Sequence, residues 1–151
     1  MITRIIDPSQ KAHIAETILT QLPDWFGVPE STRDYINGCR EKPFWADISE
    51  LGPLGFIALK ETSPATAEVY VMGVLPDFHR NGSGRALFSA FQAYAKQQGY
   101  SFLQVKTVRK GTWDSYDKTN AFYMSMGFVE FECFPDFWDE NNPCQIYIKA
   151  I

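Results

Sequence analysis

The residues best suited to chemistry lie in one segment, Val74-Leu75-Pro76-Asp77-Phe78-His79-Arg80-Asn81-Gly82-Ser83-Gly84-Arg85-Ala86-Leu87. A β-prone run feeds a short loop with two glycines, and the loop opens an amphipathic helix. The first-turn N–H groups of a helix have no partner within it, and the helix dipole adds partial positive charge there. Gly82 and Gly84 let a ligand approach the backbone closely. The combination suits a phosphate or pyrophosphate. Arg80 and Arg85 flank the loop and offer charge-assisted hydrogen bonds. The dinucleotide pattern GxGxxG fails, because Arg85, Ala86 and Leu87 follow Gly84. The P-loop pattern fails too. Ser83 stands in Gly-Ser-Gly rather than in a GxSxG elbow, so a hydrolase nucleophile is unsupported. A glycine turn without a ligand is the plain alternative.

The chain that must position this loop has 151 residues, the length of one domain spanning 1–151. An aromatic share of 15% excludes disorder as the main state. The net charge of −4 argues against a nucleic-acid footprint. The three cysteines, Cys39, Cys133 and Cys144, form no CxxC or Cys/His cluster. Neither a disulfide framework nor a structural zinc site is expected, and no metal is called for. A reducing cytoplasm is the expected location. The N-terminal apolar run is too short for a signal peptide, and no stretch is long enough to span a membrane.

Arg4–Ile6 reads as a first strand. Asp7-Pro8-Ser9 starts a helix carrying Ile14, Ile18, Leu19 and Leu22, with Pro23 as its end. Ser31 or Thr32 caps a second short helix. Phe44–Ile48 and Gly55–Leu59 form a hairpin around a Leu51-Gly52-Pro53 turn. Ala67–Val74 is apolar on both faces, as a central strand is. Gly84–Gln98 is a helix with Leu87, Phe88, Phe91 and Tyr94 on one stripe. A strand over Phe102–Val108, a loop over Lys110–Asp114 and a helix over Tyr116–Met126 follow. The last strands are Phe128–Phe134 and Gln145–Lys149, separated by a loop rich in Pro, Asp and Asn. The order β-α-α-β-β-β-α-β-α-β-β is that of an α/β protein, a mixed sheet with helices on both faces.

Two motifs resemble the GNAT superfamily of N-acetyltransferases. His79-Arg80-Asn81-Gly82-Ser83-Gly84 after Val74-Leu75-Pro76 is similar to that family's Arg/Gln-x-x-Gly-x-Gly/Ala loop, with His79 replacing the usual Arg or Gln. Tyr116-Asp117-Lys118-Thr119-Asn120-Ala121-Phe122-Tyr123-Met124-Ser125-Met126-Gly127-Phe128 resembles its helix ending Phe-Tyr-x-x-x-Gly-Phe. Tyr116 stands where the family often has Asn. The resemblance implies a single-domain, mostly antiparallel sheet flanked by helices. It also implies an acetyl-CoA site built from the main chain of Met72, Gly73 and Val74, the loop residues His79, Arg80, Asn81, Gly82, Ser83, Gly84 and Arg85, and Tyr116 and Thr119.

Acetyl transfer to an amine needs a base for the ammonium proton, a donor for the oxyanion and an acid for the departing thiolate. The resemblance makes Tyr123 the acid and Glu68 the base, directly or through water. Period two places Glu68 on one strand face with Tyr70, Met72 and Val74. The alternatives are a core Tyr123 and an exposed Glu68 at a strand start. The oxyanion donor is expected among the amides near Met72–Val74. Acceptor contacts are expected from Trp25, Phe26, Tyr35, Trp45, Tyr70 and Trp113. Glu130, Glu132, Asp136, Asp139 and Glu140 favour a cationic amine, a small molecule or a peptide N-terminus. Lys106, Arg109 and Lys110 form a local basic patch. His13 reads as a solvated helix residue. Homodimer pairing through the C-terminal strands is also implied, with Phe131, Phe134, Phe137 and Trp138 as its apolar area. A non-catalytic acyl-CoA sensor and a structural interaction module remain the competing readings.

Overall fold

A computed structural model describes all residues, Met1–Ile151. The elements run β1 (Ile2–Arg4), α1 (Pro8–Leu19), α2 (Pro29–Gly38), β2 (Phe44–Ser49), β3 (Gly52–Ser63), β4 (Thr66–Val74), α3 (Ser83–Gln97), β5 (Phe102–Val108), α4 (Asp114–Ser125), β6 (Val129–Asp139) and β7 (Asn142–Ala150). The expected element order holds. The seven strands hydrogen-bond in the order β1-β2-β3-β4-β5-β7-β6. β4 and β5 are parallel, whereas β1/β2, β2/β3, β5/β7 and β6/β7 are antiparallel.

The chain forms two compact units. The first comprises Met1–Lys60 with Val69–Gln98. Asp7 caps α1, its carboxylate accepting the Gln10 N–H at 2.8 Å. α1 buries Ile14, Ala15, Ile18 and Leu19 against Phe44, Ala46, Phe56 and Val71. Alternation along β2 sends Trp45 the other way, to the Phe91 and Tyr94 rings of α3. The second unit comprises Glu61–Glu68 with Gly99–Ile151. Leu103, Val105, Tyr123, Phe128, Ile146 and Tyr147 are buried there.

Several boundaries differ from the sequence reading. The first strand lies at Ile2–Arg4 rather than Arg4–Ile6, because its pairing with β2 runs from Ile2↔Asp47 to Arg4↔Trp45. α1 stops at Leu19 rather than at Pro23. Neither Ser31 nor Thr32 caps α2; Val28 is the N-cap and Pro29 opens the helix, while the Thr32 hydroxyl donates to the Phe26 and Val28 carbonyls. The β2–β3 turn is Glu50-Leu51, and Gly52 already belongs to the return strand. The segment 135–143 is not a loop. β6 continues through Pro135 to Asp139 and pairs with β7 up to Asp139↔Asn142, a register irregularity between Phe134 and Asp139 absorbing the proline.

Candidate active site

The glycine loop lies in the first unit. After the 3₁₀ turn Pro76–Phe78, Arg80 takes φ 65° and Gly82 takes φ 93°, both left-handed. Gly82 is the N-cap of α3, and no side chain caps this helix. Left-handed residues at a helix entry turn successive N–H groups toward one concavity, which favours an anion. Ser83 gives this concavity only its N–H. Its side chain is buried, and its hydroxyl donates to Asp47 Oδ2 at 2.7 Å. Burial alone would raise the Asp47 carboxyl; hydrogen bonds from the N-terminal amine and Ser83 outweigh it and hold the group below its ordinary range. His79 braces the loop onto the end of β4. Its Nε2 donates to the Val74 carbonyl at 2.7 Å, and its ring meets Trp25 edge-on at 5.9 Å.

Arg80 carries a side chain where the backbone favours glycine. Arg80→Gly is expected to stabilise the fold by about 0.5–1 kcal/mol while weakening binding of a phosphate ligand through loss of the guanidinium. Thermal melts and a coenzyme A titration of the same variant check both signs.

In the second unit Glu68 is buried, at 5% exposure, which removes the exposed-strand-start alternative. Lys106 Nζ lies 2.5 Å from its Oε1, and Gln104 Nε2 donates to the same oxygen at 3.1 Å. The parallel ladder ends at this point: Glu68↔Gln104 is its third and last pair. Sequence reasoning assigned Gln104 no role and placed Lys106 only in a basic patch. The signal was two polar residues at period two in an otherwise largely apolar strand.

Tyr123 on α4 is buried, its ring edge-on to Phe122 at 5.4 Å and to Phe128 at 5.6 Å. Burial pushes its phenol well above the ordinary tyrosine range, so it stays protonated at neutral pH. The same helix carries Asn120, which the sequence did not single out. Asn120 is fully buried; its amide donates to the Val108 carbonyl at 2.9 Å and the Tyr116 carbonyl at 2.6 Å, and its Oδ1 accepts the Tyr147 hydroxyl at 2.6 Å. Thr119 donates its hydroxyl to the Ser115 carbonyl at 3.4 Å.

Of the six expected acceptor residues, three form one aromatic run in the first unit. Phe26 meets Tyr35 at 6.0 Å, and Tyr35 meets Tyr70 at 5.3 Å. Lys42 Nζ sits 4.1 Å from the Tyr70 ring centroid and donates to the Gly38 carbonyl at 2.9 Å. Burial lowers the Lys42 ammonium from its usual range. Trp25 packs on His79 instead. Trp45 is buried beneath α3, where Arg4 also covers its ring at 5.0 Å; this is a packing position. Trp113, half-exposed before α4, donates its indole N–H to Asn142 Oδ1 at 2.9 Å.

Comparison with solved structures places this fold among acetyltransferases. Ard1 from Thermoplasma volcanium superposes with a TM-score of 0.80 at 18% identity, covering 100% of this chain and 97% of that one. An acetyltransferase from Streptococcus agalactiae gives 0.79 at 18% identity, with 100% and 98% covered. An aminoglycoside 6'-N-acetyltransferase complexed with coenzyme A gives 0.76 at 14% identity, with 99% and 96% covered. No curated protein matches the chain by sequence. The family model of the acetyltransferase (GNAT) domain matches residues 40–130, more than half of the chain, and the protein belongs to the GNAT acetyltransferase family.

Proposed function

We propose that the protein is an acetyl-CoA-dependent N-acetyltransferase acting on a primary amine of a small molecule or peptide in the cytoplasm, without nucleic acid or metal. The observation that carries this reading is the uncapped, left-handed entry to α3 at Arg80–Gly82. It leaves first-turn N–H groups for a pyrophosphate, and Arg80 and Arg85 supply charge. The fold belongs to acyl transfer, and a neighbour of the same fold is described with coenzyme A. The five acids at positions 130, 132, 136, 139 and 140 favour a cationic acceptor.

In the proposed mechanism, the amine gives a proton to Glu68, directly or through water. Its nitrogen then bonds to the thioester carbonyl carbon while an amide of β4 near Met72–Val74 holds the oxyanion. The oxyanion re-forms the carbonyl as the carbon–sulfur bond breaks, and the second nitrogen proton passes to the departing thiolate through solvent. Tyr123 donates toward the departing sulfur. An ordinary thiol ionises near 8.5 and tyrosine near 10. Burial widens that gap, so the phenol works chiefly as a hydrogen-bond donor to the developing thiolate and full transfer is uphill. Tyr123→Phe is expected to lower kcat by about 100-fold with the acetyl-CoA KM unchanged. Thiol release with an accepted amine measures this. Unchanged turnover removes the acid role; binding of acetyl-CoA without turnover on any amine favours the sensor reading instead.

A further inference from the structure

We propose that Lys106, helped by Gln104, is the positioning residue for Glu68: together they hold one carboxylate oxygen and leave the other oxygen to take the proton. This rests on the reading of Glu68 as the base. Register puts Gln104 directly opposite Glu68, and period two brings Lys106 to the same face of β5. Both donors converge on Oε1; no hydrogen bond within the protein goes to Oε2. The Glu68 side chain is 7% exposed and that of Lys106 25%. A charged group this buried is costly unless a cation and hydrogen-bond donors face it. Cys144 of β7 also feels the charge of Glu68, and burial pushes its thiol up to about 11, so at neutral pH it is uncharged and adds no repelling anion beside the carboxylate. Lys106 is the single ion-pair partner of Glu68.

The test needs no known acceptor. Protein labelled with ¹³C at the glutamate side-chain carboxyls is titrated with acid, and the Glu68 resonance is assigned by its loss in Glu68→Gln. In Lys106→Met its midpoint is expected to rise by about one unit or more, while Lys106→Arg stays close to native. Equal midpoints in native protein and Lys106→Met overturn the proposal. Thiol release with an accepted amine gives the second arm. Lys106→Met lowers kcat about tenfold at unchanged acetyl-CoA KM, and adds no further loss in a Glu68→Gln background. An equal loss in both backgrounds overturns positioning through Glu68. If Glu68→Gln alone leaves kcat unchanged, the base reading fails, and the titration still decides whether Lys106 holds the carboxylate.

Discussion

Gly82→Trp is expected to weaken acetyl-CoA binding by at least about 100-fold, roughly 2.7 kcal/mol, and to leave the fold intact. Gly82 has φ 93°, a conformation in which an L side chain costs about 1–2 kcal/mol. A Cβ there meets nothing within 4 Å, so no core contact is disturbed. The strain instead falls on the turn that aims the first-turn N–H groups of α3, and the indole covers the space a pyrophosphate needs. Titration calorimetry of native protein and variant with acetyl-CoA and with coenzyme A reads the effect. Equal affinities would remove the anion role of this loop.

The largest stability effect is expected at Asn120. Asn120→Ala removes three hydrogen bonds at a fully buried side chain. It strands the Tyr147 hydroxyl, which is itself on a buried residue, and the Val108 carbonyl. Leaving buried polar groups unsatisfied costs about 1–3 kcal/mol each, so a loss of about 3 kcal/mol is expected. At roughly 2–4 °C per kcal/mol for a chain of this size, Tm falls by about 6–12 °C. Differential scanning calorimetry checks it. A fall below about 2 °C would mean that the network relaxes around the smaller side chain. Because Asn120 joins α4 to β5 and β7, the variant also tests how firmly the helix that carries Tyr123 is seated.

What the sequence made legible follows from how local each signal is. The loop from His79 to Gly84 and its helix were readable, because a glycine pair after a β-prone run and before an apolar stripe is a short-range pattern. A helix start at Asp7-Pro8-Ser9 was readable for the same reason, while the choice of Asp7 over Ser9 as the cap came from the folded chain. The β6–β7 hairpin was misread near its tip because Pro135 and the acids around it carry loop composition, whereas the pairing that keeps them in strands comes from β7. The partners of Glu68 and Ser83 lie 38 and 36 residues away, at Lys106 and Asp47. Strand register decides such pairs, and no local spacing encodes them. Trp45 shows the same limit: its aromatic character fitted a binding role, and alternation along β2 turned it under α3. Asn120 was hidden inside a motif whose reading stopped at Tyr123.

Acetyl transfer to an amine is tested most directly by mixing native protein, acetyl-CoA and a panel of primary amines. The panel includes aminoglycosides, polyamines, amino acid amides, acidic amino compounds and peptides with free N-termini. Thiol release is followed together with the mass of each amine. Release that depends on both protein and amine is expected, with one cationic class gaining an acetyl group. Release with acidic amines alone would contradict the cationic acceptor. Tight binding of acetyl-CoA with no acetylated amine anywhere in the panel would contradict the enzyme reading itself.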